Sequence, residues 1–127
     1  IVVNNSKLRI MKYQVLLLLK ATPKWLALSK TYREKIFTDV LYPLFLEYTN
    51  DLEIKLFSSE AFHASVSDVI KIETESMEVY YRFLQQLKSS RIFSEAYFEL
   101  HDIVVGIENG FSKFNEAAKR DKAAIMN

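Results

Sequence analysis

The 127-residue chain reads as an α+β protein of the ferredoxin-like βαββαβ type, on the strength of three features. A short apolar run, Tyr13 to Leu19, stops at Thr22-Pro23. Two alternating runs, Leu52 to Phe57 and Asp68 to Thr74, lie close together in sequence. Two stretches at helical spacing, Tyr32 to Tyr48 and Met77 to Leu87, separate these runs from the first strand and from a last one, Tyr97 to Val105. Right-handed crossovers on that order give a four-stranded antiparallel sheet with both helices on one face.

In the first strand Tyr13, Val15, Leu17 and Leu19 share one side, and Gln14, Leu16 and Leu18 the other. Both sides are mostly apolar, which marks a central strand covered on both faces. Thr22 caps the turn that follows, with Pro23 at the first helical position. Trp25, Leu26 and Leu28 make a short connector. Ser29 caps a longer helix, in which Tyr32, Ile36, Val40 and Leu44 recur every four residues beside Phe37, Leu41, Phe45 and Tyr48. Pro43 predicts a kink, because it removes a backbone N–H and presses on the Asp39 carbonyl. Asn50-Asp51 ends the helix.

Leu52, Ile54 and Leu56 alternate with Glu53, Lys55 and Phe57 in a strand with one wet face. Residues 58–67 read as a loop, and Asp68 to Thr74 as the antiparallel partner strand. Lys and Glu among Glu53, Lys55, Lys71 and Glu73 are expected to neutralise one another across this hairpin. Ser76 caps the second helix with Glu78 in its first turn. Its apolar face is Met77, Tyr80, Tyr81, Leu84 and Leu87, with Lys88 and Arg91 near its negative end. Gly106 marks the end of the last strand, and Phe111 to Ala124 reads as a polar terminal helix. The expected organisation is an N-terminal extension, residues 1–10, and one domain, residues 11–127, with a C-terminal helical tail.

Composition narrows the function. Seventeen basic and sixteen acidic residues leave a net charge of +1, too little to draw in a nucleic acid. The absence of cysteine excludes disulfides, thiolate nucleophiles and Cys-ligated metal sites. The apolar run Val15 to Leu19 is far short of the ~20 residues of a membrane span, and the first ten residues lack the core of a signal peptide. A cytoplasmic protein with no membrane partner is expected. No G-x-S-x-G elbow or glycine-rich phosphate loop is present.

The start MKYQVLLLLKATPKWLALS, the helix with its internal Pro43, and the closing stretch YFELHDIVVGIENGF resemble the darcynin family of small bacterial proteins. The resemblance runs from Met11 to about Phe111, and the Thr-Pro-x-Trp-Leu-x-Leu element is its most specific part. It implies a bacterial source and a dimeric α/β-barrel of ferredoxin-like type, and no catalytic residues.

Six residues are candidates for a site. His101, Glu99 and Tyr97 alternate on one strand face, and an imidazole beside a carboxylate suits acid–base work. The competing reading is a hydrogen-bonded cluster at a dimer interface. Trp25 is placed to line a ligand pocket between helix and sheet, or else to close the core. His63 lies in the loop and can swing over a pocket, though a solvated loop histidine is commoner. Arg91 can hold an anionic ligand or simply complement the helix dipole. No metal is expected, because His63, His101 and Glu99 lack ligand spacing.

The sheet face away from the helices mixes apolar and charged residues and is too apolar to stay wet, so a homodimer through that face is expected. The leading function is a protein that binds a small apolar molecule between sheet faces or between sheet and helices, without a cofactor. The alternative is a cofactor-free or haem-assisted oxygenase or isomerase of the dimeric α/β-barrel type, by fold analogy. An amino-acid-sensing module would place glycine where Ala21-Thr22-Pro23 stands. An RNA-recognition module would need aromatics in Asp68 to Thr74.

Overall fold

The computed structural model describes residues 11–108. The expected extension at residues 1–10 and the expected terminal helix, Phe111 to Ala124, lie outside that range. Four strands are present among the described residues: β1 (Tyr13–Ala21), β2 (Glu53–Ser58), β3 (Asp68–Thr74) and β4 (Phe98–Ile107). They form one antiparallel sheet in the order β2-β3-β1-β4. This is the α+β ferredoxin-type arrangement that the sequence pattern predicts. β1 is hydrogen-bonded on both edges, the central place that its two apolar sides suit.

The helices are α1 (Pro23–Leu26), α2 (Lys30–Ile36), α3 (Tyr42–Glu47), α4 (Met77–Ser89) and α5 (Arg91–Ser94). They pack on the sheet face that carries Val15, Leu17, Leu19, Ile70 and Ile72, and bury Ile36, Tyr80, Phe83, Leu84, Leu87 and Ile92 there. Among the described residues no helix is long and apolar enough to cross a membrane.

Three caps form as the sequence requires. The Thr22 hydroxyl accepts from the Trp25 N–H at 3.4 Å, Ser29 from Tyr32 at 3.1 Å, and Ser76 from Val79 at 3.2 Å. Between α2 and α3 the chain runs through a π-helical turn, Phe37–Leu41, in which the Tyr42 N–H donates to the Phe37 carbonyl. The widened turn sits just ahead of Pro43, where a regular helix would clash with the Asp39 carbonyl. The expected kink is thus taken up as one π turn.

Four details differ from the sequence pattern. Phe83 is fully buried in α4 while Tyr81 is 62 % exposed, so the apolar face is rotated from the expected one. Ring contacts to Tyr48 at 5.4 Å and Phe45 at 6.0 Å hold Phe83 there. Arg91 begins the separate turn α5, after Ser90 turns extended and breaks the helix.

The third difference is in the charges. The register sets Glu53 opposite Glu73 and Lys55 opposite Lys71, like against like. Relief comes along the strand, where Lys55 meets Glu53 at 3.4 Å, and from Gln14, which donates to Glu73 at 2.7 Å. Hydrogen bonding to Glu53, and then to Gln14, holds the Glu73 carboxyl below its ordinary range.

The fourth is a bulge. Leu18 faces Asp102 but Leu19 faces Leu100, so His101 is an extra residue in β4.

Candidate functional site

Where β1 ends and β3 begins, an apolar cavity of about 140 Å³ lies between the sheet and the helix layer. Leu19, Ile70 and Phe98 line it from the sheet, and Trp25, Phe37 and Leu41 from the helices. Trp25 is positioned by the Thr22 cap of α1. Its ring lies 4.8 Å from Phe98 and meets Tyr97 edge-on at 5.6 Å. Phe37 and Leu41 are the first and last residues of the π turn, so the widened turn directly shapes the cavity wall. Such turns are frequent at functional sites.

Among the described residues the lining holds one ionisable side chain, Asp68. Alternation puts it there: Ile70, Ile72 and Thr74 bury on the helix side of β3, and Asp68 is two residues before Ile70. It sits opposite Leu19 of β1 and Ser58 of β2. The Ser67 hydroxyl donates to its carboxyl at 2.7 Å and accepts from the Ala21 N–H at 2.7 Å, while the Ser67 N–H donates to the Leu19 carbonyl at 2.9 Å. The loop end is therefore tied to the end of β1, and the carboxyl is fixed at the cavity. Burial pushes the Asp68 carboxyl above its ordinary range, against the Ser67 hydrogen bond and with a further push from the Glu60 charge.

Sequence reading missed Asp68 as a site residue. The available signal was an acid in phase with the buried row Ile70, Ile72 and Thr74.

The six expected site residues do not converge. Trp25 lines the cavity. Tyr97 does not join Glu99 and His101 in one exposed row: it precedes β4, is only 5 % exposed, and packs on Trp25. Its carbonyl accepts from the Thr22 N–H at 3.0 Å, which draws it toward the helix layer. Burial, followed by the Glu95 carboxylate, raises the Tyr97 phenol above its ordinary range. Glu99 and His101 are both exposed on β4, His101 at the bulge.

Arg91 pairs with Glu95 at 3.3 Å on the surface. That hydrogen bond raises the guanidinium and lowers the carboxylate from their ordinary values. His63 sits in the 59–67 loop, where its Nδ1 accepts from the Ser65 and Val66 N–H groups, both at 3.0 Å. That nitrogen holds the loop turn together.

A wider polar groove of about 420 Å³ lies beside Lys12, Asp51, Glu53, Glu73 and Glu75 at the other end of the sheet. It lacks the apolar, enclosed character of a small-molecule site. Among the described residues no three His, Cys, Asp or Glu stand together as a metal site.

Comparison with known proteins agrees with this architecture. The family profile described as "Darcynin, domain of unknown function" matches residues 9–125. A darcynin homolog of Streptomyces avermitilis is 33 % identical over 97 residues, 76 % of this chain and 79 % of its own length. Darcynin of Chromobacterium violaceum is 36 % identical over 73 residues, 58 % of this chain and 91 % of its own.

Among solved structures, chlorite dismutase from Candidatus Nitrospira defluvii in complex with imidazole superposes with a TM-score of 0.67 at 10 % identity, over 82 % of this chain and 43 % of that one. A haem-binding protein from Thermus thermophilus gives a TM-score of 0.67 at 10 % identity, over 76 % of this chain and 40 % of that one. The chain thus spans about two-fifths of these structural neighbours, and the likeness is one of fold.

Proposed function

The chain belongs to the darcynin family, a domain of unknown function, and for it we propose the binding of a small, largely apolar molecule in the cavity between helices and sheet. The observation that carries this reading is the cavity itself, walled by aromatic and aliphatic side chains around one carboxyl. An apolar protein cavity of about 150 Å³ takes up benzene, so the occupant has the size of one ring or a short branched chain.

Trp25 is the single tryptophan of the chain and lines the cavity, so its fluorescence reports on the site. Titration with benzyl alcohol should shift that emission saturably and raise the melting temperature. No change in either with any single-ring probe, neutral or charged, removes the reading.

Two copies put their open sheet faces together in this proposal. That face carries Leu16, Leu18 and Val69, half-buried, together with Val104 and Phe57, 47 % and 49 % exposed. Beside them lie an acidic row, Glu53 with Glu73, and a basic row, Lys55 with Lys71. A two-fold axis running along the rows sets the acids of one protomer over the lysines of its partner, which makes the patch self-complementary. The cytoplasm is the location this reading takes, since a cysteine-free chain suits a reducing compartment.

The oxygenase or isomerase alternative has one support, a carboxyl in an apolar cavity, which is a setting for a general base. His101, Glu99 and Tyr97 do not line that cavity. The Thermus neighbour is a haem-binding protein. Haem iron is held by His, Cys, Met or Tyr, and among the described residues the cavity lining offers none of these. Its volume of about 140 Å³ is also below the ~300 Å³ at which cofactor sites begin. The cavity as built does not accept haem.

A further inference from the structure

We propose that the cavity selects a hydrophobic amine: the ring or chain fills the apolar space, and the ammonium group pairs with Asp68. The inference rests on the small-molecule reading above and names the class of molecule.

Three features point to a cation. Among the described residues Asp68 is the one charged side chain in the lining, and no lysine or arginine joins it there. A carboxylate drawn partly out of water is stabilised by a cation that offsets its charge. The single hydroxyl of Ser67, at 2.7 Å, leaves acceptor capacity on Asp68. Among the described residues the charge that bears on Asp68 from nearby is Glu60, of the same sign, so their field also favours a positive guest. Finally, Trp25, Phe37 and Phe98 set aromatic rings around the space, and ring faces attract ammonium groups.

An anion meets the opposite conditions: Asp68 in the lining, Glu60 nearby, and among the described residues no positively charged side chain in the lining. A neutral alcohol can donate one hydrogen bond to the Asp68 carboxylate, and a ketone can take one only from the protonated acid, but neither carries a charge to gain from the ring faces or from Glu60. The size of the cavity matches one ring bearing a short amine arm.

The test compares benzylamine, benzyl alcohol and benzoate, which share one ring and differ in charge. Trp25 fluorescence and calorimetry at neutral pH supply the affinities. The expected order is benzylamine first by at least about tenfold over benzyl alcohol, the scale of one charge-assisted contact, with benzoate last. Asp68→Asn should reduce the amine's advantage to within about twofold while benzyl alcohol still binds.

Equal binding of amine and alcohol, or an advantage that survives Asp68→Asn, overturns the amine assignment and leaves the cavity reading standing. Binding by none of the three overturns both. The comparison in the unmutated protein decides the matter even if Asp68→Asn fails to fold.

Discussion

The Trp25 ring lies 4.8 Å from that of Phe98, joining the first helical turn to the start of the last strand across the cavity. Phe98 pairs with Ala21, so the contact also closes the sheet end from which the chain departs into α1. One residue therefore serves both the core and the site. Trp25→Ala should cost about 2 kcal/mol, less than the ~3–5 kcal/mol of a fully buried tryptophan because the ring is partly exposed. It should also abolish binding of a single-ring probe. Trp25→Phe should recover most of the stability. Urea denaturation measures the first effect and calorimetry the second; full stability in Trp25→Ala contradicts this account.

Asp68 makes stability depend on pH in the direction opposite to that of a salt-bridged aspartate. Its carboxyl is raised in the folded state, so the fold holds that proton more tightly than the unfolded chain does. The stability it contributes is fully present below the ordinary aspartate range and is lost as pH rises through the raised value. Asp68→Asn should therefore raise the melting temperature at neutral pH, with a gain that shrinks as the solution is acidified. A melting-temperature difference that stays constant from acid to neutral pH contradicts the raised carboxyl.

Ala96 carries a positive φ of 57°, just after α5. The Tyr97 N–H donates to the Ile92 carbonyl and the Ala96 N–H to that of Phe93, both at 3.0 Å, which closes the helix in a Schellman arrangement. That conformation costs a residue with a Cβ about 1–2 kcal/mol. Ala96→Gly should stabilise the protein by about 0.5–1 kcal/mol after the extra chain entropy of glycine. Thermal melts check the sign, and a fall in melting temperature counts against the strained cap.

Leu18 stands on the open face of β1, opposite Val69 of β3 and Asp102 of β4. Leu18→Glu should convert a dimer to a monomer in sedimentation velocity with little change in far-UV circular dichroism. A wild-type protein that sediments as one protomer removes the sheet-face dimer directly.

The position of each strand and of the two main helical stretches could be read locally. A strand announces itself by a period of two and a helix by 3.6, and both are properties of neighbouring residues. β3 spans Asp68 to Thr74 as its alternation predicts, and Thr22, Ser29 and Ser76 cap the helices they precede. The order of those elements, with right-handed crossovers, suffices for the sheet topology.

What faces what across the sheet was not legible in this way. Register sets Glu53 against Glu73, a bulge inserts His101 out of step, and the Thr22–Tyr97 hydrogen bond draws Tyr97 under Trp25. These depend on how segments as far as 75 residues apart come to rest on one another. The cavity is of the same kind: Trp25, Phe37, Asp68 and Phe98 share no sequence pattern, and only the packing of a π-widened helix over the end of a sheet brings them together.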